Sequence, residues 1–547
     1  MRKKMLLSAG MVAVGAAMLA VAVVVGPAVG GTAKSAASAA KGGTVNVANS
    51  TADFDNLDPA IAYVQNDWAV EYVTALKLMY YPDKGGAQGS NLAPDAATGF
   101  PVVSKDGKTY TFTIKNGLRF SDGTRVTAAN FKAAFDRDAD PTMNSPVVAF
   151  LTDVVGLNNE VNKKAKSVSG VVAKGMKLTI HLTHPDGGLL NKLAMPFLQA
   201  IKTNMAHDSN GIESYPSAGP YYIASRTVNR QTVLKRNPFY KGPRPHNSSA
   251  IVITVGGDQQ QVFLQVRNGT YAYDMGAGPP PAAFAELAKS YGVNKSRLWV
   301  FPGLITNYLA LNVARPAMAN ASARKSVNYA IDRPALVRIL GYLGGKRATQ
   351  LLPPALAGGF TNKNLYPIRG ADFKTAKKLN PHCGSINLWS TTSTGGKAVG
   401  QIAAFDLSQI GCKVTVKSFQ GGAIYTAAGT KGADFDVMRA GWVDDYPDPY
   451  DFYHLLLDGT TIVATNNTNF SYFNSKSVNK AIASDNLLTG QARLKAFGKL
   501  DQQVMTKYAP IASWSYQNSR DFISGNVAGY TFAPSVGLAD LATFYNK

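Results

Sequence analysis

The sequence predicts a mixed α/β protein built from two or three domains. It has 547 residues, and about 510 of them follow an apolar N-terminal segment, which is more than one hydrophobic core usually holds. Hydrophobic residues make up 46% and charged residues 16%, as in globular rather than disordered proteins. Strand-like and helix-like patterns both occur, and residues 385–419 combine them in one βαβ unit.

The N-terminal segment has the pattern of a secretory signal peptide. A basic start, RKK, precedes an apolar run that ends near Val29, and small residues follow it. We expect export to the extracellular, cell-surface or periplasmic side of a membrane, with a signal peptide over residues 1–33 and a linker over residues 34–41. An uncleaved anchor is the alternative, because about 25 apolar residues can span a bilayer that needs roughly 20. No cysteine lies near the run, so we expect no lipobox anchor.

The strongly basic composition does not indicate nucleic-acid binding. The formal net charge is +22, but the basic residues are scattered and form no Arg-rich arm, zinc-finger spacing or ribonucleoprotein motif. An exported basic protein can instead face an anionic membrane or wall surface.

The N-terminal half contains short segments with clear local patterns. A strand-like stretch at residues 43–50 leads into the turn NLDPA at residues 56–60 and a helical stretch at residues 67–80. Residues 108–115 alternate with period two and predict a strand. Thr127 then has the position of an N-cap for a helix that extends to residue 136.

The only two cysteines, Cys383 and Cys412, flank the βαβ unit. Residues 385–390 and 413–419 have strand patterns, and residues 399–410 have the pattern of an amphipathic helix. The two strands would be parallel, and if they are also adjacent, both sulfur atoms lie at the same end of the sheet. A disulfide is reasonable outside the cell and would stabilise the fold by about 3 kcal/mol. Two unpaired thiols are the alternative.

Patterns for catalysis and metal binding are weak. The chain has no GxSxG, HExxH, P-loop or dinucleotide-binding glycine pattern. His181 and His184 lie in a stretch that alternates like a strand, so we expect them on opposite faces rather than on one metal ion. We therefore expect a binding protein without catalytic residues, metal or cofactor. An exported hydrolase is the remaining enzymatic alternative.

Five ordered segments carry a resemblance to a known family. Residues 107–137, GKTYTFTIKNGLRFSDGTRVTAANFKAAFDR, resemble the family 5 bacterial solute-binding proteins, the receptors for dipeptides, oligopeptides and nickel. The turn NLDPA and the regions 217–245, 310–337 and 435–456 resemble further motifs of that family, in the expected order. The resemblance covers nearly the whole chain after the N-terminal segment.

This resemblance implies a two-lobed α/β fold like that of periplasmic binding proteins, with an extra subdomain inserted in lobe I. It also implies that the protein is a monomer that captures a peptide or small-molecule ligand by hinge closure and delivers it to an ABC permease. A strand-like stretch at residues 298–313, interrupted by Pro302-Gly303, could cross between the lobes. The expected boundaries are lobe I at 42–75, 206–300 and 515–547, the insertion at 76–205, and lobe II at 301–514.

The segment GWVDDYPDP, residues 441–449, is the first candidate binding region. It follows a strand pattern at residues 434–439, and its prolines make a rigid turn that holds side chains with little entropy to lose. In family members that bind peptides, an Asp at the position of Asp445 pairs with the α-ammonium group of the ligand. The alternative is that Asp445 caps the following helix or is solvated in a loop.

Five more residues complete the predicted site. The resemblance places Arg439 where some oligopeptide receptors bind a ligand carboxylate, although a single strand Arg is more often a surface or ion-pair residue. Trp442 either shelters the ligand backbone or packs inside lobe II. Tyr63, Val64 and Gln65 follow the NLDPA turn and should face the cleft.

The ligand class stays open at this point. At least one oligopeptide receptor has an acidic residue where this chain has Tyr63, so a free peptide amino terminus is not required by the sequence. A sugar, a modified peptide or an opine-like compound is an alternative ligand. A surface receptor that senses peptides is an alternative role.

Overall fold

Strand pairing organises residues 42–356 and 363–547, the part of the chain that the computed structural model describes, around three main sheets. The predicted signal peptide and linker, residues 1–41, lie outside the described residues. No helix within the described residues has the length and apolar character needed to cross a membrane.

The elements are numbered in chain order. The strands are β1 (Thr44–Asn49), β2 (Met79–Tyr80), β3 (Ala93–Pro94), β4 (Val102–Val103), β5 (Thr109–Thr113), β6 (Val171–Lys174), β7 (Lys177–His181), β8 (Tyr221–Thr227), β9 (Gln231–Arg236), β10 (Ala250–Val255), β11 (Tyr273–Asp274), β12 (Leu298–Leu311), β13 (Gly345–Arg347), β14 (Ser385–Thr391), β15 (Lys413–Phe419), β16 (Val437–Val443), β17 (Ile511–Phe522), β18 (Val527–Ala528), β19 (Phe532–Ala533), β20 (Leu538–Ala539) and β21 (Tyr545–Asn546). The α-helices are α1 (Gln65–Thr74), α2 (Ala128–Ala139), α3 (Leu157–Val161), α4 (Leu189–Lys192), α5 (Gln259–Asn268), α6 (Phe284–Tyr291), α7 (Pro316–Ala319), α8 (Ala321–Ala330), α9 (Arg333–Arg338), α10 (Phe373–Leu379), α11 (Thr394–Ser408), α12 (Ala423–Ala428), α13 (Pro449–Leu457), α14 (Lys476–Asn486) and α15 (Gly490–Lys507). Short 3₁₀ helices occur at Gly86–Ser90, Pro146–Phe150, Pro196–Leu198, Pro281–Ala283, Gly459–Thr461 and Leu541–Thr543.

The first sheet has five strands in the order β11-β1-β10-β9-β8. Its centre is parallel, because β1 pairs with both β10 and β11 in the same direction, and β9 and β8 extend it as an antiparallel hairpin. Alternate residues such as Val45, Val47, Ile251 and Ile253 are buried on one face, where they pack with residues of α1.

The second sheet is antiparallel, with the order β4-β5-β7-β6, and α2 packs on it. The predicted cap is present: the side chain of Asn130 accepts a hydrogen bond of 2.8 Å from the backbone N–H of Thr127, as in a capping box. The helix extends three residues further than the sequence indicated, to Ala139.

The third sheet has six strands in the order β13-β17-β12-β16-β14-β15. It contains the predicted βαβ unit, since β14 and β15 are adjacent and parallel and α11 connects them. A disulfide joins Cys383 and Cys412 at the start of these strands.

The strands β12 and β17 pair over most of their length and connect two apolar clusters. At one end, Leu298 and Phe522 pack in a cluster with Phe263. At the other end, Leu309 packs in a cluster with Leu388. Pro302 lacks an N–H donor, and the register shifts between it and Ile305 while the strand itself continues. The interrupted strand predicted at residues 298–313 is therefore one long strand with a bulge.

A large apolar cluster joins the second sheet to the C-terminal helices. It contains Phe112 of β5 and Leu193 after α4, together with Tyr453 of α13 and Phe497 of α15. The segments on either side of this cluster lie far apart in sequence, so the cluster is formed only by tertiary packing.

Two local predictions were wrong in extent. The helix expected at residues 67–80 ends at Thr74, because Met79 and Tyr80 pair with β3 instead. The strand expected at residues 434–439 is β16, which begins at Val437 and continues to Val443. β12 supplies backbone partners as far as Val443, so Trp442 belongs to a strand and not to the turn that follows.

Candidate functional site

The centre of the candidate site is a hydrogen bond between Tyr63 and Asp445. The hydroxyl of Tyr63 donates to Oδ2 of Asp445 over 2.8 Å. The Tyr63 ring lies 5.8 Å from the Trp68 ring and 5.7 Å from the Phe197 ring, so aromatic packing limits its orientation. The bond joins the segment after the NLDPA turn to the loop after β16.

The NLDPA turn is held by a buried ion pair that positions Tyr63. Asp58 receives two hydrogen bonds from the guanidinium of Arg137, at 2.5 and 2.6 Å, and both side chains are buried. The same carboxylate accepts the backbone N–H groups of Ala60 and Ile212, at 2.9 and 2.8 Å. This bidentate geometry locks the turn to α2 five residues before Tyr63.

Asp451 links Asp445 to Trp442. Its Oδ2 accepts the indole N–H of Trp442 at 3.0 Å and the backbone N–H of Asp445 at 3.1 Å. The helix cap is Asp448, whose carboxylate accepts the N–H of Tyr450, so the alternative in which Asp445 caps this helix is wrong. The carboxylate of Asp445 is thus directed toward Tyr63 rather than toward the helix.

A second buried ion pair, between Arg493 and Asp448, holds the turn between β16 and α13. The guanidinium of Arg493 donates two hydrogen bonds of 2.8 Å to Asp448. The side-chain amide of Asn191, in α4, donates a third hydrogen bond, at 3.1 Å. Asp448 is therefore a structural residue, and three positions away Asp445 keeps its carboxylate available.

Burial dominates the electrostatics of the three neighbouring acids. It raises the pKa of Asp445 to about 7, while the hydrogen bond from Tyr63 acts in the opposite direction. Burial, followed by the nearby Asp445, raises the pKa of Asp451, and burial raises that of Asp444. Burial and Asp445 raise the pKa of Tyr63, so its hydroxyl stays protonated as the donor. A cation would be the natural partner for this set of acids.

Trp442 packs against the large apolar cluster and is half-buried, and its indole N–H is occupied by Asp451. Arg439 lies three residues earlier on β16, so the two side chains project from opposite faces of the strand. Within the described residues no carboxylate pairs with Arg439; one nitrogen donates to the hydroxyl of Tyr425 at 3.4 Å, and its buried Nε has no partner. Arg439 is thus not part of the group formed by Tyr63, Trp442, Asp445 and Asp451.

Val64 and Gln65 stand at the start of α1, and neither makes a hydrogen bond to Tyr63 or Asp445 within the described residues. Val64 is 44% exposed and occupies the N-cap position. The side-chain amide of Gln65 donates to the carbonyl of Val536 at 2.8 Å. Gln65 also lines a cavity of about 220 Å³ together with Gln517 and Arg520.

Tyr63 lines a second and larger cavity of about 850 Å³. Its walls come from residues 138–161 on one side and residues 454–468 on the other. Tyr63, though not Asp445, therefore borders a space large enough for a small ligand.

Sequence reasoning missed Asp451 and the pairing of Asp58 with Arg137. Asp451 lies within α13, where its spacing from Asp445 has no recognisable pattern. The Asp of the NLDPA turn was visible as a motif, but its partner is 79 positions away.

Comparison with known proteins identifies the family. The model of the bacterial extracellular solute-binding proteins, family 5, middle region, matches residues 91–463. The chain belongs to this family. It is accordingly a solute-binding component of an ABC importer and not an enzyme.

Two curated relatives and one solved structure illustrate how far the similarity of this solute-binding protein extends. The probable D,D-dipeptide-binding periplasmic protein DdpA of Escherichia coli K12 is 24% identical over 496 residues, which cover 89% of this chain and 91% of that protein. The periplasmic oligopeptide-binding protein OppA of the same organism is 25% identical over 451 residues, or 78% and 80% of the two chains. The structure of clavulanic acid biosynthesis oligopeptide binding protein 2 superposes with a TM-score of 0.85, at 22% identity, over 92% of this chain and 96% of that one. The predicted two-lobed α/β fold of periplasmic binding proteins is confirmed by this likeness.

Proposed function

We propose that this solute-binding protein captures oligopeptides or related amine-bearing solutes, and that Asp445 pairs with the ammonium group of the ligand. The observation that carries this proposal is the buried carboxylate of Asp445, which is held by Tyr63 from a distant segment and has no cation of its own among the described residues. An ammonium placed there forms a charge-assisted hydrogen bond, which is stronger than a neutral one.

The relatives support an amine-bearing ligand. DdpA and OppA are named for binding dipeptides and oligopeptides, and such peptides carry a free amino group unless it is modified. In this chain the segment after the NLDPA turn contributes a hydroxyl donor, Tyr63, to Asp445 and not a second carboxylate. The hydroxyl can keep its bond to one carboxylate oxygen while the ammonium uses the other.

The remaining predicted residues have supporting roles in the proposal. The indole of Trp442 forms a rigid wall next to Asp445, since Asp451 fixes its orientation. Arg439, whose guanidinium has no carboxylate partner in the described residues, binds a ligand carboxylate only if the ligand reaches around β16. Val64 and Gln65 contribute at the edge of the site.

The two long strands that connect the apolar clusters are suited to act as a hinge on which the lobes close over the ligand. In the proposal, β12 and β17 act as the hinge between the lobes, whose boundaries are those expected from the sequence: 42–75, 206–300 and 515–547 for lobe I with the insertion at 76–205, and 301–514 for lobe II. The protein acts as an exported monomer on the outer side of the membrane and delivers its ligand to a permease.

A titration with matched peptides tests the proposed function. The five tryptophans, Trp442 among them, provide intrinsic fluorescence, and isothermal titration calorimetry provides the affinity. We expect a short peptide such as Ala-Ala-Ala to bind and its N-acetylated form to bind much more weakly. Equal affinity for the two forms would contradict the proposed contact between Asp445 and the ammonium group of the ligand.

The other outcomes separate the alternative ligands. Saturation by sugars or opine-like compounds with no response to any peptide would contradict the peptide proposal while keeping the solute-binding role. Mass spectrometry of a ligand carried through purification would identify the compound directly.

A further inference from the structure

The cavity of about 850 Å³ beside Tyr63 has the size and character of a ligand site. Small-molecule sites in proteins commonly have volumes of roughly 300–1,000 Å³ and mostly apolar walls with a few polar groups. The apolar walls of this cavity are formed by Pro141, Pro146, Val148, Phe150, Val161 and Leu455.

Two polar side chains on one wall have buried atoms without partners. Asp138 is 2% exposed and Ser145 is 6% exposed, and both line the cavity. Oδ2 of Asp138 and Oγ of Ser145 are buried, and within the described residues neither atom makes a hydrogen bond of standard geometry. The Ser145 hydroxyl lies close enough to Asp138 to lower the pKa of that carboxyl, but no cation pairs with the carboxylate directly among the described residues. A buried polar atom without a hydrogen-bond partner is destabilising, so such atoms usually indicate a ligand or a water molecule that supplies the missing hydrogen bond.

The other charged groups around the cavity are already paired. Asp140 accepts a hydrogen bond from His207 at 2.6 Å and another from the backbone N–H of Thr142 at 2.8 Å. His454 pairs with Asp458 at 3.2 Å. Asp138 and Ser145 therefore provide the available acceptors on this wall.

We propose that the cavity binds an aliphatic chain that ends in an amino group, such as the side chain of a lysine residue in a peptide ligand. The inference rests on the proposed function, because the α-ammonium of the same ligand would occupy Asp445 beyond the Tyr63 ring. The aliphatic carbons pack against the apolar walls, and the terminal amino group donates to Oδ2 of Asp138 and Oγ of Ser145.

The chemistry of Asp138 suits this ligand. Burial raises the pKa of its carboxyl well above the usual range, and the neighbouring Arg137 opposes that shift only in part. An ammonium group would favour the ionised carboxylate and supply the missing charge partner. A purely apolar side chain of the same length would fill the walls but leave the Asp138 carboxyl without a cationic partner.

Calorimetry with two matched tripeptides tests the inference. Lys-Ala-Ala and norleucine-Ala-Ala differ in the terminal amino group and have similar aliphatic length. We expect the wild-type protein to prefer Lys-Ala-Ala by about tenfold or more, because a charge-assisted hydrogen bond is made to one peptide only. Asp138→Asn should abolish the preference and leave the affinity for norleucine-Ala-Ala unchanged.

Two further variants control the interpretation. Asp140→Asn removes an acid near the cavity whose oxygens are already bonded, and it should keep the preference. Ala149→Trp places a large ring in the cavity and should weaken both tripeptides, but not Ala-Ala-Ala. If Asp138→Asn does not fold, Ser145→Ala should reduce the preference in its place.

The outcomes separate the two proposals. Equal affinity for both tripeptides in the wild type, or a preference that persists in Asp138→Asn, would overturn the inference even if Asp445→Asn weakens both peptides. If neither tripeptide nor Ala-Ala-Ala binds, the proposed function fails, and pentylamine alone then tests the cavity. Pentylamine should raise the thermal unfolding midpoint of the wild type more than 1-pentanol does. If pentylamine gives no such rise in the wild type, or gives the same rise in Asp138→Asn, the inference is overturned.

Discussion

The hydroxyl of Tyr63 and the carboxylate of Asp445 are 382 positions apart in the sequence and 2.8 Å apart in the fold. In the absence of ligand, this bond satisfies an acid that would otherwise be buried without a donor. A ligand ammonium therefore adds to, or competes with, a bond that already exists. The binding free energy of an ammonium ligand is therefore the difference between the state in which Tyr63 alone bonds Asp445 and the state in which the ammonium also bonds it.

Replacing the carboxylate gives the most direct prediction. Asp445→Asn keeps the shape of the side chain but removes its charge, so binding of a peptide with a free amino terminus should weaken by about 1.5–3 kcal/mol. The measurement is calorimetric titration of Ala-Ala-Ala. Asp444→Asn, at a buried neighbour that makes no side-chain bond to Tyr63, is the matched control and should retain wild-type affinity. Equal losses in the two variants would argue against a specific role for Asp445.

The affinity should depend on pH through the same carboxyl group. The ammonium binds the ionised form, and Asp445 has a pKa of about 7 without ligand. Below that pH a proton must leave before the ligand pairs, so the Kd should rise by about tenfold per pH unit as the pH falls, whereas it should be nearly constant above. Titrations between about pH 5 and pH 8 check this. In Asp445→Asn the series should keep only the weaker dependence that comes from the neighbouring Asp451, whose pKa burial also raises, and a flat wild-type series would contradict the assignment.

Tyr63→Phe should move this pH dependence. The variant removes the donor that stabilises ionised Asp445 while it keeps the ring that packs on Trp68 and Phe197. The pKa of Asp445 should rise, so the midpoint of the pH profile should shift to a higher pH and the affinity near neutral pH should fall. An unchanged midpoint would show that the hydroxyl does not stabilise the carboxylate.

The ion pair of Asp58 and Arg137 should contribute strongly to stability. Arg137→Met leaves a buried carboxylate without its charge partner, so the free energy of unfolding should fall by about 3–5 kcal/mol. The measurement is chemical denaturation. Lys132→Ala breaks the more exposed pair with Asp136 on the same helix and should cost about 1 kcal/mol or less. Similar losses in both variants would contradict a special role for the buried pair.

The disulfide should stabilise the fold without changing the ligand site. Replacing both Cys383 and Cys412 with Ser opens a loop with a sequence separation of 29, which should lower the free energy of unfolding by about 3 kcal/mol in the chain-entropy model. The peptide affinity of the folded variant should match that of the wild type. A reducing agent should lower the stability of the wild type but not that of the variant.

Local patterns in the sequence predicted much of the fold. The strand and helix patterns of the βαβ unit and the cap at Thr127 depend on residues within a few positions of each other, so they were visible in the sequence. The end of β16 was misplaced because its last residues are held by β12, which is more than 120 positions away.

Five motifs in order were enough to predict the family, and one of them pointed to Asp445 as the first candidate binding residue. The groups around that acid appear only in the folded chain: the donor from Tyr63, the link through Asp451 to Trp442, and the cavity with Asp138 that Tyr63 borders. It also separated Arg439 from this group by placing it on the opposite face of the strand. These relationships are set by burial and packing between distant segments, and neither of these leaves a repeat in the local order of residues.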